Sequence, residues 1–356
     1  MLQVSPHRGP DAGSDLHARA VREIAPRVVE TAACVVCGAT RARERFEVEG
    51  VAARVVGCEG CGLGRFHPWL GAEQVRAFYP DEYYGEPGAK FQPLVERLVR
   101  LVGARHIGFL SRGLRPGARI LDVGCGRGVV LGPLADRGLE VHGVEVSAEA
   151  ARGADPRAEI RIAAQLGDAG YAPGFFDEVI IWHVLEHLPD PRVALREVHR
   201  VLAPGGRLIV AVPNFSSWQA RWSGAAWFHL DLPRHLYHFP LEALCRLLRD
   251  VGFEIDEVHH FSLRQNPFGW IQSALNRVGA LPRNGLYTLL HRRARREPPP
   301  YDVATRALLM LLFLFAGPLA LALSLIETFG RSGATVHVVA RRPHEAGATR
   351  PASSPA

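Results

Sequence analysis

Four cysteines are spaced for metal chemistry: Cys34 and Cys37 form one C-x-x-C pair, Cys58 and Cys61 another, with 20 residues between the pairs. That pattern suits one tetrahedral zinc ion, and with all four positions taken by protein the ion would be structural. Gly38 and Gly62 follow the pairs and permit the left-handed turn that brings backbone amides onto the thiolates. A redox dithiol is the competing chemistry, but the pair is duplicated and nothing nearby resembles a thioredoxin unit. Arg41, Arg43, Arg45, Arg54 and Arg65 either offset the thiolate charge or simply face solvent.

A second constellation is RILDVGCGRG, Arg119 to Gly128. An apolar strand feeds a turn in which Gly124, Gly126 and Gly128, lacking side chains, let backbone approach a ligand. Alone, such a turn is also just a tight strand-to-helix connection. The dinucleotide fingerprint needs glycine where Val129 stands, which disfavours pyrophosphate and a nicotinamide-dependent oxidoreductase. Asp122 instead puts a carboxylate where a cationic ligand group belongs, and S-adenosylmethionine carries such groups. Glu145, 21 residues after Gly124, can accept from both ribose hydroxyls of its adenosine. Cys125 and Val146 complete the expected lining of that pocket.

Histidines supply the third set. His183 and His187 flank Glu186 at the end of a strand candidate, beside Trp182, with His183 expected against the cofactor. Glu186 reads as orienting the helix that begins near Pro189. WFHLDLPRHLYHF, Trp227 to Phe239, packs aromatics around His229, Asp231, Arg234, His235 and His238, a mixture that suits a substrate pocket. His187, His235 and His238 are the expected general bases; these histidines have no fixed metal-ligand spacing.

Positioning these groups requires strands ending where they sit. Apolar runs at 119–123, 140–145, 178–183, 207–212, 253–261 and 335–340 alternate with helical segments near 128–137, 190–202 and 240–250, which predicts a doubly wound, parallel α/β sheet. The domain boundaries follow: a mobile tail at 1–30, a zinc ribbon at 31–70, a helical connector or lid at 71–118, the core at 119–264 with 334–342, an apolar insertion at 265–333, and a second tail at 343–356. Helical spacing in the connector falls on Leu94, Leu98, Leu101 and Val102.

Three stretches resemble the class I S-adenosylmethionine-dependent methyltransferases with an N-terminal zinc-ribbon-like segment: LDVGCGRG (Leu121 to Gly128), FDEVIIWHVLEHLPDP (Phe176 to Pro191) and LAPGGRLIVAVPN (Leu202 to Asn214). The resemblance covers about residues 31–264 and 334–342 and implies a Rossmann-like seven-stranded sheet whose last strand is antiparallel. It further implies an adenine contact near Asp168, although Ala164 to Asp168 departs from the family's acidic-then-apolar pattern, and a lid built on Tyr83 and Tyr84. Relatives with this ribbon include enzymes that act on nucleotide sugars, so a sugar acceptor stands beside a lipid-linked one.

Composition narrows the classes. In 356 residues, 47% are hydrophobic and 22% charged, and Lys90 is the only lysine in a chain of formal charge +6. Scattered arginine forms no stripe, so nucleic acid is not an expected partner. The first 30 residues have no apolar core segment, which points to a cytoplasmic, reducing compartment. Ala307 to Ile326 is 20 residues without a charge, long enough to cross a bilayer. Crossing would strand residues 335–340 on the wrong side, and arginines flank both ends, so a shallow hairpin reversing at Gly317–Pro318 or an in-plane segment on the membrane surface is expected; a helix capping the site or a dimer interface are the alternatives. Together these readings predict methyl transfer to a small-molecule, sugar or lipid-linked acceptor, against a catalytically silent binding module of the same fold.

Overall fold

A computed structural model describes residues 20–78, 105–290 and 301–344. The ribbon is built from β1 (Val21–Glu23), β2 (Val28–Glu30), β3 (Arg41–Val48), β4 (Arg54–Cys58) and β5 (Gly64–His67), followed by a short helix α1 (Ala72–Arg76). Strand β3 buries every second residue, the period-2 pattern of a sheet with one wet face. Residues 21–23 and 28–30 pair with β3, so the end of the expected N-terminal tail belongs to the ribbon sheet. Each run is only three residues, too short to register as a strand by periodicity.

The core follows as β6 (Arg119–Val123), α2 (Leu131–Ala135), β7 (Glu140–Glu145), β8 (Glu159–Ile162), β9 (Phe176–Trp182), α3 (Pro191–Val201), β10 (Leu202–Pro213), α4 (Trp218–Ser223), β11 (Tyr237–His238), α5 (Leu241–Val251), β12 (Glu254–His259), α6 (Asn266–Asn276), α7 (Gly285–Leu290), α8 (Val303–Phe329) and β13 (Thr335–Arg341). Seven strands lie in the order β8-β7-β6-β9-β10-β13-β12. Only β13 runs against the rest of this sheet. Alternate residues cover opposite faces. Ile120, Ile180, Ile209 and Val339 pack with Leu131 and Leu134 on one side, and Leu121, Val179, Ile181 and Leu208 with Leu195 and Val198 on the other. Helix α3 starts at a proline and is capped by Asp190, whose carboxylate accepts from Val193 N at 3.0 Å. Losing that cap costs about 1 kcal/mol.

Helix α8 is one continuous helix through Pro318, so no reversal occurs at Gly317–Pro318. Its buried residues, Leu309, Ala320, Ser324 and Glu327, recur at three- and four-residue multiples and dock on α6 and α7. Glu327 fastens the end of the helix, accepting from Gln219 N at 2.7 Å and Trp270 Nε1 at 2.9 Å. The connector leucines 94, 98 and 101, Val102, Tyr83 and Tyr84 lie outside the described residues.

Candidate active site

Four parallel strands deliver the expected residues to one edge of the sheet. At the end of β6 the chain turns through Gly124, Gly126 and Gly128 at φ of 71°, 50° and 61°, a region side chains disfavour. Glu145, closing β7, holds that turn: its carboxylate accepts from Gly126 N at 2.8 Å, Val146 N at 2.8 Å and Ser147 N at 3.3 Å. A Cβ built on Gly126 would meet nothing within 4 Å, so the turn is open there. Asp122 is buried without a cationic partner among the described residues, and burial together with Glu145 pushes its carboxyl up to about 7. Two carboxylates placed this way call for a ligand with positive charge and hydroxyl donors, which fits S-adenosylmethionine. Cys125 is buried beneath the turn, the Val146 side chain faces solvent, and Asp168 sits exposed on a short 3-10 turn after β8.

His183 follows β9 with φ of 55°, and its Nδ1 stands 3.3 Å from Glu186 Oε1. The next residue, Val184, packs against the glycine turn, since a Cβ on Gly124 would lie 2.6 Å from its Cγ2. Trp182 stacks on His337 at 4.5 Å and lies 4.0 Å from His106, two histidines that sequence reasoning did not single out.

The segment after β10 folds back onto this loop. The His187 and His235 rings are 4.6 Å apart, and His238 is 6.2 Å from His235. Asp231 forms an ion pair with Arg234. Burial lowers His235 to about 4 and His229 and His238 to about 3, and it lowers His187 as well, so the cluster is neutral at physiological pH. Burial opposes the charge on Glu186, but His183, His235 and His187 outweigh it and hold the carboxyl at about 2. Glu186 therefore does not cap α3, the role Asp190 takes; it is a buried member of the histidine cluster. Sequence showed its proximity to two histidines but not its burial.

The ribbon reaches this cluster through its edge: β5 pairs with β11, Arg65 opposite Tyr237 and Gly64 opposite His238. Arg192 of α3 donates to the Val35 carbonyl at 2.8 Å beside the cysteine turn. Cys34 and Cys61 sulfurs are 3.6 Å apart, Cys37 and Cys58 sulfurs 3.4 Å, close to the edge of about 3.8 Å that Zn–S bonds of 2.3 Å require in a tetrahedron. The nearby arginines have partners of their own. Arg41 and Arg43 pair with Glu59, Arg54 with Glu44, Arg45 lies over Phe215, and Arg65 donates to Thr31 Oγ1.

Residues 95–258 match the model of a methyltransferase domain. A ubiquinone biosynthesis O-methyltransferase of Xanthomonas axonopodis pv. citri (strain 306) is 30% identical over 165 residues, 42% of this chain and 69% of that protein. The chain belongs to the S-adenosylmethionine-dependent methyltransferases. A second O-methyltransferase of that name, from Maricaulis maris (strain MCS10), is 32% identical to this methyltransferase over 45% of the chain and 66% of its own length. The chain thus spans about two thirds of these curated relatives, and the domain match covers neither the ribbon nor α8. An S-adenosylmethionine-dependent methyltransferase structure from Archaeoglobus fulgidus aligns with a TM-score of 0.43 at 17% identity, covering 69% of this chain and 93% of that one.

Proposed function

We propose that this methyltransferase moves a methyl group from S-adenosylmethionine to an oxygen of a small, apolar-tailed acceptor, working at a membrane surface. The carrying observation is the buried Asp122, without a cationic partner among the described residues, beside a glycine turn braced by Glu145, at the sheet edge that also carries a histidine cluster. Bound there, the cofactor supplies an electrophilic methyl on a cationic sulfur. Asp122 faces the positive charge, Glu145 uses its remaining lone pairs for ribose hydroxyls, and Gly126 admits the nucleoside to the backbone. Much of the rate comes from holding the acceptor oxygen in line with the methyl. His238 is the base of the cluster: its Nε2 is buried without a partner among the described residues, so an acceptor hydroxyl held there has one nitrogen to donate its proton to. His187 and His235 orient the acceptor.

Oxygen as the attacking atom follows the activity named for the relatives. An apolar tail follows from α8, whose outward residues Leu311, Leu314, Phe315, Leu319, Ile326 and Phe329 form an exposed stripe along the helix. Trp218 and Trp222, half-exposed near its C-terminal end, and Arg277 over the Trp222 ring supply the aromatic and basic rim of an interfacial segment. The opposite stripe, packed on the protein from Leu309 to Glu327, supports an α8 that lies along a membrane surface over one that crosses it. The four cysteines hold a structural zinc ion that shapes the ribbon.

The test is transfer of labelled methyl from S-adenosylmethionine to a long-chain alkyl catechol in mixed micelles, with calorimetry on the same protein. Turnover reduced at least tenfold in His238→Asn, with cofactor affinity kept, supports the reading. Cofactor binding without transfer to catechol, amine or sugar acceptors would assign the silent-module alternative.

A further inference from the structure

The loop after β9 and the segment after β10 build a second constellation within the candidate site. One ligand-capable atom from each of Glu186, His187 and His235 lies within 4.8 Å of the other two. Glu186 is 1% exposed, yet its Oε2 has no hydrogen-bond partner among the described residues. Its Oε1 stands 4.0 Å from His235 Nε2, and Asp231 Oδ2 stands 3.8 Å from the same nitrogen. Both distances are too long for hydrogen bonds. They are short enough for two groups to share one ion with bonds of about 2.1 Å each.

The two imidazoles are set in the form such an ion needs. His235 Nδ1 lies 3.0 Å from the His229 carbonyl oxygen, and His187 Nδ1 lies 3.2 Å from that of Arg234. A carbonyl only accepts, so each Nδ1 carries the ring proton and each Nε2 keeps its lone pair. A backbone carbonyl behind the ring is the usual support of a metal-bound histidine, fixing both tautomer and orientation. A hydrogen-bond network serving packing alone would have given Glu186 Oε2 a donor.

We propose that Glu186, His187 and His235 form a second metal site, distinct from the cysteine group, that binds a divalent transition cation and leaves a coordination position for the acceptor oxygen. Two imidazoles and one carboxylate suit zinc, cobalt or a neighbouring first-row ion better than magnesium or calcium, and three protein ligands leave the site open. Only the identity of the incoming oxygen ligand rests on the methyl-transfer reading; binding of the ion does not.

The full chain, its ribbon loaded with zinc, is titrated with cobalt(II) and followed by visible absorption and elemental analysis. The expected result is one equivalent beyond the ribbon's, with weak ligand-field bands and no thiolate charge-transfer band. Its affinity should fall more than about tenfold in His235→Ala and in Glu186→Gln. Both variants should keep ribbon zinc and wild-type affinity for S-adenosylmethionine, the sign that they are folded. Absence of the extra equivalent in the wild-type protein overturns the proposal, whatever the variants do, as does an extra equivalent that binds unchanged in both. Failure of the wild-type protein to bind S-adenosylmethionine would sink the methyl-transfer reading and leave the cobalt result standing.

Discussion

With Asp122 facing the cofactor's positive charge as proposed, cofactor binding is expected to be proton-linked. Burial and Glu145 push its carboxyl up to about 7, so at pH 7 about half of the free protein carries that proton, at pH 6 about nine-tenths and at pH 8 about one-tenth. A sulfonium cation favours the carboxylate, so binding should release about 0.9, 0.5 and 0.1 protons at those three values. If only the ionised form binds, affinity strengthens about tenfold from pH 6 to pH 8, or roughly 1.4 kcal/mol. Calorimetry in two buffers of different ionisation heat counts the protons, and Asp122→Asn subtracts the ligand's own titration. A proton count and pH profile identical in wild type and variant would refute the reasoning. The same shift sets a sign for stability without ligand. The folded value lies above the unfolded value of 3.8, so folding favours the neutral acid below about pH 4 and loses that contribution as the pH rises toward 7. Asp122→Asn should therefore resist urea better than wild type above pH 7, by up to about 4 kcal/mol.

Three further outcomes are expected. Gly124→Ala combines a left-handed φ of 71° with a contact of 2.6 Å to Val184 and should cost about 2–4 kcal/mol in urea unfolding; adding Val184→Ala should return the steric part and leave the backbone part. Replacing Leu314, Phe315 and Leu319, which are 68%, 75% and 64% exposed, by serine should abolish sedimentation with anionic vesicles while changing the unfolding midpoint little. Cys37→Ser should lower zinc content and thermal stability together, and chelation of the wild-type protein should expose the 34–61 turn to protease; zinc content and stability that do not change together would remove the structural role.

The strands β6, β9 and β10 could be read directly because each carries a run of buried Val, Ile and Leu, and β7 from Val141 and Val144 on either side of His142 and Gly143. Strand β8 was harder: Glu159–Ile162 has four residues, two charged and none fully buried, and is held by pairing to β7. Pro318 suggested a break, yet the packed stripe on either side of it carries the helix through. The cysteine spacing and the glycine turn are local patterns and survive folding unchanged. The Glu186 cluster is not local, for it joins residues 48 positions apart, such as His187 and His235, and depends on which ring nitrogen meets which carbonyl.

The ladder between β5 and β11 has only two rungs, and one of them is the residue that takes the acceptor's proton in the proposed reaction. Gly64 leaves no room for a side chain there, since a Cβ would come within 2.9 Å of that of His238. With zinc held there as proposed, an oxidant that attacks the sulfurs or a chelator that takes the ion need never enter the pocket to silence it. By unseating the start of β5, where Gly64 follows closely on Cys61, it takes away the rail on which His238 is mounted.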